Sequence, residues 1–237
     1  MELNKNFHSA YFPKSLDDIA FTYRSDKSIL HNCITGRSGF PGNGINGILL
    51  VGNTGSGKST LAQLLPDMFE KARVGGEASM SYHQITAGSN NGVELIGKIE
   101  NIASLYPWQQ LFNYIVLDEV DLLTTQAMSR LKSAMNIGFG FSIFIMTTND
   151  LAKVDAAVVN RCHVIYLNHA PSSAWLPLYR RILDDHCIPK LSTHTMLTKI
   201  DMCNGSGRDV IESAKNVILD YKEPQFIPSI DLTVNVV

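Results

Sequence analysis

The segment GNTGSGKS, residues 52–59, brings three glycines, a lysine and a serine together at fixed spacing. It follows an apolar run, Gly47–Val51, and a helical pattern begins at Ser59. Glycines let a backbone turn tightly, so that successive N–H groups point inward at one anion, and the positive end of a helix adds to them. This combination predicts a P-loop that holds the phosphates of ATP.

Each polar residue of this loop has an expected role. Lys58 is expected to reach the β- and γ-phosphates, and the Ser59 hydroxyl to ligate Mg²⁺. A chance match to the short pattern is the alternative, and the strand before the loop and the helix after it argue against chance. The loop residues expected to bind ATP are Gly52, Asn53, Thr54, Gly55, Ser56, Gly57, Lys58, Ser59 and Thr60.

Two carboxylates, Asp118 and Glu119, follow a second apolar run at residues 114–117. Ligands bind at the carboxyl edge of an open parallel sheet, so these acids should face the P-loop. We expect Asp118 to hold Mg²⁺, directly or through water, and Glu119 to polarise the water that attacks the γ-phosphate. The alternative is that acidic residues here only cap the next helix, a role also open to Asp121 or Thr124.

The elements that must position these residues alternate along the chain. Apolar runs predict buried parallel strands at 47–51, 114–117, 141–146 and 164–167. Helical patterns lie between them at 59–65, 93–105 and 125–136. Pro66 is expected to interrupt or restart the first of these helices. Strand and helix in alternation predict an α/β fold with a parallel sheet and flanking helices.

The pattern changes after residue 170. Segments 172–186, 192–203 and 207–220 have helical spacing, with no strand between them. The sequence therefore predicts an α/β nucleotide-binding domain over residues 1–170 and a small all-helical domain over 171–222. Residues 223–237 form a tail to which no element is assigned.

Composition narrows the class of protein. A net charge of -2 gives no overall attraction to nucleic acid. The four cysteines show no C-x-x-C pair, which is typical of reduced thiols in a cytosolic protein. The N-terminus lacks the apolar core of a signal peptide, and no run approaches 18 apolar residues. We therefore expect a soluble, cytoplasmic protein that does not enter a membrane.

Further segments carry a resemblance to a known family. These are YFPKSLDDI at 11–19, DEVD at 118–121, RLKSAM at 130–135, TTN at 147–149 and NRC at 160–162, with weaker matches at 86–93 and at 207–209. Together with the P-loop, the set resembles the AAA+ superfamily. It is most similar to the clamp-loader branch, the small subunits of replication factor C and their phage counterparts.

The resemblance implies ATP hydrolysis by a P-loop sheet closed by a helical lid. By its motifs, Asn149 would orient the lytic water, Arg161 would act in trans as an arginine finger, and Arg208 would contact the γ-phosphate from the lid. Phe12 and Pro13 would border the adenine. The alternatives are a turn-forming role for Asn149, solvated surface charges for the two arginines, and core packing for Phe12 and Pro13.

The implied partners are other AAA+ subunits, identical or different, with DNA and a sliding clamp or another replication protein. Lys98 and Lys132 are the candidate DNA contacts, although a solvated helix face explains both equally well. The family has an arginine where this chain has Gly97. The 17 residues after Asp220 are too few for the family's collar domain. A ring would therefore assemble through its ATPase domains alone or use a partner's collar, or the chain does not form a clamp-loader ring.

Two other functions therefore stay open. The first is an AAA+ switch with another client, such as a helicase loader, a transposition regulator or a defence-system ATPase. The second is a nucleotide-binding scaffold without catalysis, which the intact Lys58, Asp118 and Glu119 argue against.

Overall fold

A computed structural model describes residues 7–75, 83–86, 92–108, 110–168 and 170–222. The predicted tail at 223–237 and most of the 86–93 segment lie outside these ranges. The strands are β1 (Gly47–Val51), β2 (His83–Thr86), β3 (Asn113–Asp118), β4 (Ser142–Thr148) and β5 (Cys162–Tyr166). The helices are α1 (Phe7–Ala10), α2 (Arg24–Ile34), α3 (Lys58–Val74), α4 (Val93–Ser104), α5 (Thr125–Ile137), α6 (Ala156–Val159), α7 (Ser172–Asp185), α8 (Thr193–Asp201) and α9 (Gly207–Lys222).

The strands form one parallel sheet in the order β2-β3-β4-β1-β5. This confirms the predicted α/β class. Because β4 lies between β1 and β3, the end of β4 lies between the loop that follows β1 and the acids at the end of β3. The topology thus brings three segments that are distant in sequence to one edge of the sheet.

Both faces of the sheet are covered at its centre, which is why β1, β3 and β4 read as continuous apolar runs. On one face Leu49 and Val51 pack with residues of α4 and α5. On the other, Ile48 and Leu50 pack with residues of α2 and α3. All five residues of β1 are buried, so the strand that leads into the P-loop has rigid support on both sides.

The prediction that Pro66 interrupts its helix is wrong, because α3 continues from Lys58 to Val74 with Pro66 inside it. An internal proline costs about 3 kcal/mol, since it removes a backbone hydrogen bond and crowds the preceding turn. The apolar face of α3, which includes Leu61, Leu65 and Phe69, is completely buried against the sheet. Packing of this face outweighs the local cost.

Helices α7, α8 and α9 form a helical bundle with a core of its own, and no strand lies among the described residues 171–222. Phe7, Tyr11 and Ala20, from the N-terminal segment, share that core. His8 Nε2 lies 2.6 Å from Glu212 Oε2 on α9. The N-terminal segment therefore packs on the helical bundle as well as leading into the sheet, and the boundary at residue 170 stays a prediction.

Within the described residues, no helix combines the length and the apolar character needed to cross a membrane.

Candidate nucleotide-binding site

A cavity of about 510 Å³ opens at the carboxyl edge of the sheet, between the P-loop, the N-terminal segment and the helical bundle. This volume lies in the range typical of small-molecule sites. The lining residues are His8, Tyr11, Phe12, Pro13, Asp18, Ile19, Ala20, Thr54, Gly55, Ser56, Gly57, Lys58, Ser59, Thr60, Asp118, Glu119, Thr147, Asn149, Trp175, Leu178, Gly207, Arg208 and Ile211. Most of the residues predicted for the site are therefore together.

The P-loop connects β1 to α3 through glycines in left-handed conformations. Gly55 has φ +83° and Gly57 has φ +93°, values that side-chain-bearing residues rarely adopt. Lys58, at the start of α3, donates from Nζ to the carbonyl oxygens of Gly52 at 2.7 Å and Asn53 at 2.8 Å. Gly52 and Asn53 thus contribute by holding Lys58, which itself lines the cavity.

The ammonium of Lys58 is largely buried. Burial lowers its pKa, while the carboxylate of Asp118 and those of two neighbouring acids oppose that shift by favouring the charged form. Ser56 Oγ is buried and has no hydrogen-bond partner among the described residues. A charged amine and an unpaired hydroxyl in one glycine-rich loop fit a phosphate group.

The two acids lie opposite this loop. Ser59 Oγ donates to Asp118 Oδ1 at 2.9 Å, and Thr147 Oγ1 also donates to that oxygen. The backbone N–H of Glu119 donates to Thr147 Oγ1 at 3.0 Å. Glu119 has φ +59°, a left-handed conformation that is uncommon outside glycine and that turns the chain directly after β3.

The helix-capping alternative applies to other residues. Thr124 caps α5, since its side chain accepts from Ala127 N at 3.2 Å. Asp121 accepts from Thr148 Oγ1 at 3.0 Å and from the backbone N–H of Asn149 at 3.3 Å. Asp121 therefore orders the end of β4, where Asn149 lines the cavity.

Oxygen ligands suitable for Mg²⁺ meet at this point. Adjacent ligands of an octahedral ion bound at about 2.1 Å lie about 2.9 Å apart, and Ser59 Oγ and Asp118 Oδ1 have that separation. No group of three or more His, Cys, Asp or Glu side chains that could hold a metal occurs in the described ranges. These residues therefore fit an ion that takes its remaining ligands from phosphate and water.

Apolar side chains also line the cavity. They include Phe12 and Pro13, together with Tyr11, Trp175 and Ile211; contact of Phe12 and Pro13 with the adenine stays a prediction. Tyr11 belongs to the same N-terminal motif but had no predicted role. Trp175 and Ile211 were not identified from the sequence, because they come from distant segments and form no motif. Only their helical spacing was visible, and that spacing indicates core packing as readily as a ligand wall.

The helical bundle touches the P-loop directly. The backbone N–H of Gly207, the first residue of α9, donates to the carbonyl of Gly55 at 3.0 Å. A Cβ on Gly207 would lie 2.7 Å from the Trp175 ring, so a glycine is required for this approach. The contact brings the next residue, Arg208, to the cavity.

Three predicted residues lie elsewhere. Arg161 precedes β5 at the amino edge of the sheet, one strand length or about 16 Å from its own P-loop. It donates to Asn136 Oδ1 at 3.0 Å and to Ala157 O at 2.6 Å. Lys98 on α4 and Lys132 on α5 are exposed and do not line the cavity.

Comparison with known proteins identifies the family. The family model described as "ATPase family associated with various cellular activities (AAA)" matches residues 48–169, just over half of the chain. The chain belongs to the AAA family of ATPases. Membership of this family implies that the chain binds ATP.

Relatives of this AAA protein place it near replication proteins. It is 30% identical to a replication factor C small subunit of Thermoplasma acidophilum over 166 residues, which is 68% of this chain and 48% of the relative. It is 24% identical to the DNA polymerase III subunit gamma/tau of Mycoplasma genitalium, over 99% of this chain and 41% of the relative. The chain thus spans about half the length of these relatives, and the matches confirm the resemblance to the clamp-loader branch.

Solved structures agree on the fold. The AAA protein aligns with the Holliday junction branch migration motor RuvB of Thermotoga maritima with a TM-score of 0.66. The identity is 18%, and the alignment covers 87% of this chain and 65% of RuvB. At this identity, the likeness concerns the fold alone.

We predict that Lys58→Ala removes most of the affinity for ATP. A charge-assisted contact is lost, which corresponds to a loss of about 30- to 100-fold in affinity. Calorimetric titration with ATP measures the effect. Lys27→Ala, which removes a lysine paired with Asp17 outside the cavity, is the control, and equal affinities in the two variants would contradict the placement of the phosphates.

Proposed function

We propose that this chain is a Mg²⁺-dependent ATPase that acts as one subunit of a clamp-loader-like, DNA-associated oligomer in DNA replication. The observation that carries the proposal is the separation of two sets of residues. Ser59, Asp118 and Glu119 lie at the carboxyl edge of the sheet, and Arg161 lies at its amino edge. Because Arg161 lies too far from its own cavity, it is suited to complete the ATP site of a neighbouring subunit.

The residues of the cavity divide the chemistry among them. Lys58 holds the β- and γ-phosphate oxygens, and Ser59 and Asp118 hold Mg²⁺. When bound there, Mg²⁺ would supply positive charge that stabilises the phosphate oxygens. Glu119 accepts a hydrogen bond from the attacking water and raises its nucleophilicity, while the Asn149 amide orients that water.

Arg208 reaches the γ-phosphate from the start of α9. Its helix begins at the residue that bonds to Gly55, so the arginine and the P-loop keep a fixed relation. Phe12 and Pro13, which line the cavity, form an apolar surface for the adenine. In this arrangement the base, the phosphates and the water each meet a different element.

Arg161 acts on the ATP of an adjacent subunit. A guanidinium stays charged and can form two parallel hydrogen bonds to phosphate oxygens. Its contacts with Asn136 and Ala157 support its orientation at the amino edge. ATP hydrolysis would then depend on correct assembly of the oligomer. This suits a protein that must hydrolyse ATP only when its subunits are in place.

Contact with DNA would come from several subunits together. Lys98 and Lys132 offer two exposed charges per chain, and Gly97 offers none. Each phosphate contact adds about 0.9 to the slope of log affinity against log salt. A single chain would therefore bind DNA weakly, and an oligomer would sum the contacts.

Four exposed apolar side chains lie on the segments that precede β3 and β4, namely Leu105, Tyr106, Trp108 and Phe139, and we propose that they form a patch that binds a protein partner. Trp108 is 90% exposed and Tyr106 81%. Large side chains clustered in contact with water commonly mark a binding surface for another protein. The patch lies beyond the amino ends of β3 and β4, far from the nucleotide, and we propose that it contacts the sliding clamp.

A second function is favoured by one observation. Gly97 lies beside Lys98 on α4, and within the described part of the chain nothing beyond its own helix backbone and chain neighbours lies within 4 Å of the position of a Cβ, so an arginine would fit but is absent. The low positive charge of α4 favours an AAA switch whose client is not a clamp on DNA. Helicase loaders, transposition regulators and defence-system ATPases are such switches.

We expect Glu119→Gln to bind ATP within about threefold of the unaltered chain and to lose turnover by about 100-fold or more. The amide keeps the shape of the side chain but cannot act as a base. Phosphate release measures turnover, and calorimetry measures binding. Normal turnover in this variant would remove Glu119 from the role of base.

Arg161→Ala should reduce turnover about 1000-fold in the assembled state. Mixing it in equal amounts with Glu119→Gln should restore activity, because about one interface in four then combines an intact Glu119 with an intact Arg161 from the neighbour. Arg180→Ala, which removes an exposed arginine of α7, is the control. If the mixture is no more active than either variant alone, Arg161 does not act in trans.

The proposed client is tested by adding partners to the purified chain. Primer–template DNA should stimulate ATP turnover, and a sliding clamp should stimulate it further. Replacing Tyr106 and Trp108 by alanine should abolish the response to the clamp and leave basal turnover unchanged, because both side chains are exposed and remote from the cavity. Stimulation by a helicase or a transposase, without a response to the clamp, would favour the second function.

A further inference from the structure

Thr147 lines the cavity beside the two acids. It begins the TTN segment, in which the resemblance gives a role only to Asn149. Thr147 is the sixth residue of β4 (Ser142–Thr148), and only 1% of it is exposed. Strand β4 lies between β1 and β3. The side chain of Thr147 therefore lies between the P-loop and the two acids.

The hydroxyl of Thr147 makes two hydrogen bonds of opposite sense. It donates to Asp118 Oδ1, and it accepts from the backbone N–H of Glu119 at 3.0 Å. A hydroxyl has one hydrogen, and an ionised carboxylate can only accept. The direction of the chain of bonds from Glu119 through Thr147 to Asp118 is therefore fixed.

Both ends of this chain need support. Asp118 Oδ1 also accepts from Ser59 Oγ at 2.9 Å, so the carboxylate faces the serine that would share Mg²⁺ with it. Glu119 has φ +59°, a backbone conformation disfavoured for a residue with a side chain. The bond from its N–H to Thr147 stabilises the turn that directs Glu119 to the cavity.

We infer that Thr147 is a positioning residue for both acids. Its hydroxyl fixes the Asp118 carboxylate beside Ser59 and fixes the backbone turn that carries Glu119. One group thereby couples the geometry of Mg²⁺ binding to that of the base. This inference rests on the proposed function, because it assigns Thr147 to the same reaction.

Thr148 provides a matched control on the next residue. It is also completely buried in β4, and its hydroxyl also makes hydrogen bonds, to Asp121 Oδ1 at 3.0 Å and with the backbone of Asp150. Neither partner is Asp118 or Glu119. Thr147→Val and Thr148→Val therefore remove equivalent hydroxyls from equivalent depth, but only the first loses contact with the two acids.

The test measures binding in a background without turnover. In chains that also carry Glu119→Gln, calorimetry gives the affinity for ATP with Mg²⁺ and with EDTA. Thr147→Val should weaken Mg²⁺-dependent binding about tenfold and leave the affinity in EDTA within about twofold. Thr147→Ser keeps the hydroxyl and should restore the increase in ATP affinity that Mg²⁺ gives over EDTA. Thr148→Val should not reduce that increase.

Turnover supplies the second readout. With Glu119 intact, Thr147→Val should lower kcat about 10- to 100-fold through misplacement of the base, with a smaller change in KM. Thermal unfolding of all variants checks that the fold is retained. A Thr147→Val chain that matches Thr148→Val in Mg²⁺-dependent binding and has normal kcat would overturn the inference.

The two proposals fail in different ways. If Glu119→Gln hydrolyses ATP normally, the proposed base is wrong, yet the binding comparison still decides whether Thr147 positions Asp118. If Glu119→Gln is inactive and Thr147→Val behaves normally, the proposed function stands and Thr147 has only a structural part.

Discussion

A single carboxylate oxygen, Asp118 Oδ1, joins the three segments of the chain on which the site depends. It accepts from Ser59, at the start of α3, and from Thr147, near the end of β4, while Asp118 itself ends β3. Parallel strands lie about 4.8 Å apart, so β1 and β3 can meet across β4 only through side chains at their ends. The order β2-β3-β4-β1-β5 puts these ends together, and the fold and the site are consequences of the same arrangement.

Burial sets the electrostatics of the P-loop. Taking Lys58 out of water disfavours its charge, and the surrounding acids and the carbonyls of Gly52 and Asn53 compensate. The same low-dielectric setting strengthens the attraction of the ammonium for a phosphate. A lysine held in this way is suited to contact a phosphate.

Features carried by contiguous residues could be predicted from the sequence. The P-loop and the Asp118–Glu119 pair are recognisable because their chemistry needs fixed local spacing after a buried strand. The prediction for Pro66 is wrong because the packing of α3 on the sheet overrides local propensity. Strand β2 and helix α2 were not predicted. Strand β2 is a short, mostly exposed edge strand. Helix α2 contains few apolar residues, so its helical spacing gives only a weak signal. Trp175 enters the cavity wall through contacts between distant segments, which leave no local signal.

The main-chain hydrogen bond from Gly207 to Gly55 connects the helical bundle directly to the P-loop. A movement of α9 would be transmitted to the P-loop through this main-chain contact and not through a long, flexible side chain. The hydrogen bond between His8 and Glu212 attaches the N-terminal wall of the cavity to the same helix. A movement of α9 would therefore shift two walls of the cavity together.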